Sequence, residues 1–273
     1  MIPAKFDYQR ASSADEAIGL LAEHGEDAKL LAGGHSLLPL MKLRLASPAM
    51  LVDIGRLRDL SYVRESGDEV AIGALTRHRD IETSELLRQE VPLLAHAAGT
   101  VGDPQVRHRG TIGGSIAHGD PASDLPAVAL ALGATMVIRS PRGEREVAAS
   151  DFFVGFLETV LAPDELLTEI RVPKVAGAGW SFQKFNRRAQ DWAIVGVAAV
   201  HNGTTGVALV NMGSTPLRAI AVEEALAGGA SAAEAAAHAA DGLDPPSDLN
   251  ASPEYRRHLA TVLVRRALEE AGA

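Results

Sequence analysis

The chain has 273 residues, 47% hydrophobic and 22% charged, an ordinary globular profile with length for one large domain or two to three small ones. A formal net charge of −9 argues against a general nucleic-acid binder, which shows a basic face. Cysteine is absent, which excludes disulfides, thiolate-ligated zinc and thiolate-held iron–sulfur clusters, so redox chemistry must come from a cofactor held by other groups.

The N-terminal stretch "MIPAKFDYQRAS" has no apolar signal core and no run reaches the length of a membrane span, so the expected location is the cytoplasm. Ser13 and Glu16 read as a capping box, followed by Ala14, Ala17, Ile18 and Leu21 at helical spacing and a stop at Gly25. "AKLLAGG" reads as a short buried strand running into the pair Gly33–Gly34. "SLLPLMKLRL" is a helix with Pro39 in its first turn, and "AMLVDIG" is a strand. Residues 1–56 thus form a small strand–helix–strand–helix–strand unit.

Residues 57–174 form a second unit. "EVAIGALT" is a strand, with a short helix from Arg77, and "EVPLLAHAAGTVG" is a helix ending in glycine. A second pair, Gly113–Gly114, follows an extended segment. Asp124 caps "LPAVALALG", with Pro126 in the first turn and Gly133 past the end, before the strands "ATMVIRS" and "ELLTEIRVP". In residues 175–273, "WSFQKFN", "WAIVGVAAVH" and "GVALVNMG" read as three strands. Asn202–Gly203 turns the last two into a hairpin. Ser231 and Glu234 open an Ala-rich helix, and a last helix places Tyr255, Leu259, Val262 and Leu263 on one stripe.

The two glycine pairs carry the chemistry. Each is followed by a hydroxyl residue, Ser36 or Ser115, and Thr111 precedes the second. Glycine lets a backbone approach a phosphate, and unpaired N–H groups attract anions, so two such loops suit one diphosphate even in an acidic protein. Either pair taken alone reads as a tight turn; the repeat of the pair with a hydroxyl residue is what turns the reading towards binding. Neither is a G-x-G-x-x-G fingerprint and there is no Gly-Lys-Ser/Thr loop, which removes the main support for a Rossmann NAD domain or a P-loop NTPase.

At these residues the sequence resembles a family. "AGGHSLLPLMKLR" and "TIGGSIAHGDPASDLPA" are similar to the two flavin-binding segments of the FAD-binding (medium) subunits of molybdenum hydroxylases, the family of the carbon monoxide dehydrogenase medium subunit and the xanthine dehydrogenase FAD domain. "FQKFNRRAQDWAIVGVA" resembles the start of that family's C-terminal domain. The resemblance implies an α+β chain: a two-subdomain FAD fold of the vanillyl-alcohol-oxidase (PCMH) type, then a C-terminal domain with a three-stranded antiparallel sheet and helices. It implies that Ala32, Gly33, Gly34, His35, Ser36 and Leu37 line the diphosphate from one side, and Thr111, Ile112, Gly113, Gly114 and Ser115 from the other. Asp124 is implied towards the ribityl and phosphate region, Leu167 near the adenine or flavin ring, and Lys184 or its neighbour Gln183, with Trp192, near the isoalloxazine.

The resemblance implies non-covalent FAD, which leaves His35 untethered. His118, Asp120 and Asp124 have a spacing compatible with a metal, but cap and turn hydrogen bonds account for them, and no metal ligand is assigned. Arg107, His108 and Arg109 read as a surface charge cluster, and no residue pair calls for a catalytic dyad. The implied function is an FAD electron-transfer subunit of a heterotrimeric molybdenum hydroxylase. A small partner subunit carries two [2Fe–2S] clusters and a large one the molybdenum cofactor, as a dimer of heterotrimers. The alternative is a free-standing FAD oxidase or dehydrogenase of the same fold acting on a small alcohol.

Overall fold

The computed structural model describes residues 2–273. The chain opens with strand β1 (Asp7–Arg10), helix α1 (Ala14–His24), strand β2 (Ala28–Leu31), helix α2 (Leu37–Leu43) and strand β3 (Met50–Asp53). The three strands form a parallel sheet in the order β1-β3-β2. The apolar side of α1, with Ala17, Ile18 and Leu21, packs on it together with Val52 and Ile54. Ser13 caps α1 as expected, accepting from the Glu16 N–H. The Glu16 carboxylate reaches back to the N–H and hydroxyl of Ser12 instead of closing the box on Ser13, because Ser12 presents two donors.

Strands β4 (Val63–Ser66) and β5 (Glu69–Gly73) lead to four short helices: α3 (His78–Thr83), α4 (Glu85–Glu90), α5 (Pro92–Gly99) and α6 (Pro104–Arg107). Next come α7 (Ile112–His118), α8 (Asp124–Ala131), β6 (Thr135–Ser140), β7 (Gly143–Ala148), α9 (Ala149–Phe152), β8 (Phe153–Gly155), β9 (Glu158–Thr159) and β10 (Leu166–Pro173). The long strand β10 is central to an antiparallel sheet of order β4-β5-β10-β6-β7. The helices cover its apolar face through Ile81, Leu87, Leu94, Ile116 and Val128. Gly113–Gly114 lies inside the first turn of α7 and not after a strand; Thr111 caps that turn.

The C-terminal sheet runs β11 (Gly179–Phe185), β12 (Val195–Asn202), β13 (Thr204–Val210) and β14 (Leu217–Arg218), all antiparallel. It has one short strand more than the three expected. Gly203, with φ +73°, makes the hairpin turn where Asn202–Gly203 predicts it. Helices α10 (Ile220–Ala227), α11 (Ala232–Ala236) and α12 (Pro253–Ala271) follow; α11 carries the full Ser231–Glu234 capping box. One sheet face packs on α12. The other, through Ala198, Val200, Ala208 and Val210, joins the core of the preceding unit.

The buried stripe of α12 is Arg256, Leu259, Ala260, Leu263, Val264, Ala267 and Leu268: Leu259 and Leu263 are inside as expected, Val262 is half-buried and Tyr255 is exposed. At the start of the helix the Arg256 side chain is inside where Tyr255 is expected. It is fully buried, pairs with Asp248 at 2.8 Å and donates to the carbonyl of Ile194. Arg107 also departs from expectation: it is half-buried, pairing with Glu82 at 3.0 Å and donating to the Val101 carbonyl.

Candidate functional site

A cleft of about 910 Å³ lies where the three sheets' connecting loops converge. The loop after β2 forms one wall with Ala32, Gly33, Gly34, His35, Ser36 and Leu37. Thr111, Gly113, Gly114 and Ser115 form the opposite wall, while Asp124, Leu167, Lys184 and Trp192 complete the lining. Fourteen of the fifteen site residues expected from the sequence therefore border one space. The exception is Ile112, which is buried in the core behind the wall with its N–H bonded to the Thr76 carbonyl at 3.1 Å.

The two loops touch. A β-carbon on Gly33 would fall 2.3 Å from the Arg109 carbonyl oxygen, so only glycine permits this approach. Arg77 ties the second loop to the turn after β3, donating to the carbonyls of Arg109 and Gly55. Gly34 has φ +79°, which turns the chain into α2.

The loops offer different chemistry. Among the described residues, the backbone N–H groups of Gly33, Gly34, His35 and Ser36 find no hydrogen-bond acceptor. Four successive donors beside a cleft form a cradle for an anion. In the second loop the N–H groups are committed: Gly113 to the Ala74 carbonyl at 2.8 Å, Gly114 to the Thr111 hydroxyl at 3.2 Å and Ser115 to the Thr111 carbonyl at 3.0 Å. This wall contributes the Thr111 and Ser115 hydroxyls and the bare surface of Gly114, where a β-carbon meets only Thr111 Oγ1. Gly113 is glycine for packing, since a β-carbon would lie 2.6 Å from the Ala74 carbonyl oxygen.

Asp124 is not a cap. It is the first residue of α8, and its Oδ2 accepts from Lys184 Nζ at 2.7 Å, with Lys184 also donating to the Thr100 carbonyl at 3.1 Å. Burial pushes the Asp124 carboxyl up from its ordinary value, and Lys184 pulls it part of the way back. The other oxygen, Oδ1, is sealed without a partner. Alternation along β11 places Lys184 on the cleft, whereas Gln183 turns to the opposite face and bonds Ser181 and Glu270. Trp192 is 59% exposed at the mouth. His35 is exposed, and partial burial, then Arg109, lower its pKa.

Sequence reasoning missed Leu161, Ala162 and Pro163, which border the cleft beside Leu167. They follow the two-residue strand β9, too short to show a period. The hollow, with an apolar end, four free N–H groups and hydroxyls opposite, has the donor set that a dinucleotide diphosphate needs. Lys184 is already paired with Asp124, and the amides of Gly33 to Ser36 are the free backbone donors for the anion's charge.

This fold and cleft define a two-subdomain flavin-dinucleotide protein carrying a C-terminal sheet domain. Residues 4–175 match the FAD binding domain in molybdopterin dehydrogenase, and residues 180–271 match the CO dehydrogenase flavoprotein C-terminal domain. The chain belongs to this family of FAD-binding oxidoreductase subunits. It is 45% identical to the carbon monoxide dehydrogenase medium chain of Hydrogenophaga pseudoflava, covering 100% of this chain and 99% of that one. It is 41% identical to the 6-hydroxypseudooxynicotine dehydrogenase complex subunit alpha of Paenarthrobacter nicotinovorans, covering 99% and 96%. Among solved structures it superposes on carbon monoxide dehydrogenase from Hydrogenophaga pseudoflava with a TM-score of 0.96 at 46% identity, covering 100% of this chain and 99% of that one. No helix of the described residues is long and apolar enough to cross a membrane.

Proposed function

We propose that this chain is the FAD-carrying electron-transfer subunit of a heterotrimeric molybdenum hydroxylase, receiving electrons from [2Fe–2S] clusters of a small partner and passing them to an external acceptor. The run of acceptor-free N–H groups at Gly33–Ser36 facing Thr111 and Ser115 across one cleft is the observation that carries the reading. The chain has no cysteine for a cluster, which fits a division of labour with a cluster-bearing subunit and a large molybdopterin-binding subunit, assembled as a dimer of heterotrimers in the cytoplasm. Residues 1–56 and 57–174 act as the two cofactor-holding units and 175–273 as the third.

Within the site, the amides of Gly33 to Ser36 hold the diphosphate non-covalently, and the Thr111 and Ser115 hydroxyls bond it from the far side. Gly114 leaves the room the ligand occupies, and Asp124 orients Lys184. Leu167 packs the apolar end, and Trp192 covers a ring face at the mouth. The bound cofactor supplies redox chemistry, taking up and giving up electrons singly or in pairs, while the protein supplies position and environment. The test is purification of the full chain from its native source. A yellow complex that releases FAD on acid denaturation and contains a cysteine-rich small chain and a large molybdopterin chain is expected. A colourless chain unable to take up FAD refutes the reading, and reduction of the flavin by a small alcohol without other subunits refutes its placement in a complex.

A further inference from the structure

His78 sits on the floor of the cleft, where the two glycine loops meet. It begins α3, and its N–H donates to the Gly110 carbonyl at 3.1 Å, beside the bridge between Arg77 and Thr111. The Cδ2–Nε2 edge of the imidazole lies against Gly110: a β-carbon there would fall 2.6 Å from Cδ2 and 2.8 Å from Nε2. The residue is only 4% exposed. Nδ1 is sealed and has no partner among the described residues.

A group so placed has a defined protonation. Burial first, then the charges of His35, Arg77 and Arg107, pushes His78 down to about 4, so the ring is neutral at pH 7. A neutral imidazole carries one N–H. On Nδ1 that hydrogen would be a buried donor with no acceptor, the rarer kind of defect in folded proteins. The proton therefore resides on Nε2, at the ring edge that follows Gly110 along the cleft.

We propose that His78 is a cofactor-contacting residue, its neutral imidazole offering Nε2–H to the diphosphate-bearing stretch of FAD between the two glycine loops. This rests on the FAD reading above. It gives the site a side-chain donor that does not titrate near neutrality, complementing the four backbone donors at Gly33–Ser36.

The test is FAD and ADP-ribose affinity of the full chain, freed of flavin, with the melting temperature of each flavin-free variant measured beside it. A glutamine amide nitrogen reaches the place of Nε2, and an asparagine nitrogen the place of Nδ1. His78→Gln should hold both ligands within about threefold of wild type. His78→Asn and His78→Leu should weaken both by roughly tenfold or more, the equivalent of one lost hydrogen bond. If leucine lowers the melting temperature, the comparison of glutamine with asparagine decides. Equal affinity of those two variants, or a leucine variant within threefold of wild type, overturns the proposal. A wild-type chain that takes up no FAD overturns the functional reading, and this inference with it.

Discussion

Replacing Lys184 by methionine tests the buried pair that joins the C-terminal sheet to the rest of the site. The Asp124 side chain is 5% exposed and that of Lys184 10%, so neither ion is appreciably hydrated. With Oδ1 already unpartnered, the carboxylate depends on the ammonium 2.7 Å from Oδ2. Removing one member of such a pair leaves an uncompensated buried charge and costs roughly 3–5 kcal/mol, about 6–20 °C in Tm for a chain of this size. Thermal melts of the flavin-free protein at pH 7 read this directly. Burial alone then raises the folded-state pKa of Asp124 above its unfolded value of about 3.9, so between those two values the native state binds more protons and stability falls as pH rises. The deficit should be smallest near pH 4, grow with pH and level off once the folded carboxyl ionises. Adding Asp124→Asn should recover part of it. A Lys184→Met protein within about 0.5 kcal/mol of wild type at pH 7, or a deficit that grows towards acid, refutes the argument.

Gly114→Val puts its β-carbon 2.7 Å from Thr111 Oγ1, so the capping hydroxyl of α7 must turn aside at some cost in stability, and FAD content per folded chain, read from the flavin spectrum, should fall to near zero; wild-type content would remove the second wall from the site. Trp192→Ala, at a 59% exposed position, should change stability by less than about 0.5 kcal/mol while speeding FAD dissociation, and an unchanged off-rate would show that Trp192 does not cover the ring. Arg256→Met strips the buried donor from the Ile194 carbonyl and should destabilise by roughly 1–3 kcal/mol in urea titrations, whereas a smaller loss would mean the segment re-pairs. Tyr62, pushed up to about 12 by burial and by its bond to Glu169, should ionise last in a spectrophotometric titration, with stability falling as pH rises from about 10 towards that value; ionisation near 10 in the folded protein contradicts this.

What the sequence disclosed was local. Glycine next to glycine, a hydroxyl one or two positions on, and Asn202–Gly203 between apolar runs each act within a few residues, and the chain obeys them. Strands β4 and β7 escaped because "VRES" and "GEREVA" lie at the sheet edges, mostly exposed on both faces, and carry no apolar alternation. Asp124 reads as a cap until Lys184, sixty residues later, is seen to hold it. On α12 the sequence placed Leu259 and Leu263 inside but chose Tyr255 over Arg256, because a buried arginine looks polar in a pattern, and only Asp248 and the Ile194 carbonyl reveal why it is inside. The unequal roles of the two glycine loops were likewise hidden, since Gly113 and Gly114 differ only in what faces them.

Helix α8 has no side that faces water: every residue from Asp124 to Ala131 is buried, with strands β12 and β13 covering what the second unit leaves open. The family boundary falls between residues 175 and 180, but the apolar interior runs straight across it. A gene cut at that seam would yield a stump with a greasy rod laid bare, prone to clump before it could load anything. The piece carrying both glycine loops is therefore no portable cassette; whoever transplants this cofactor holder into another protein must move its tail as well.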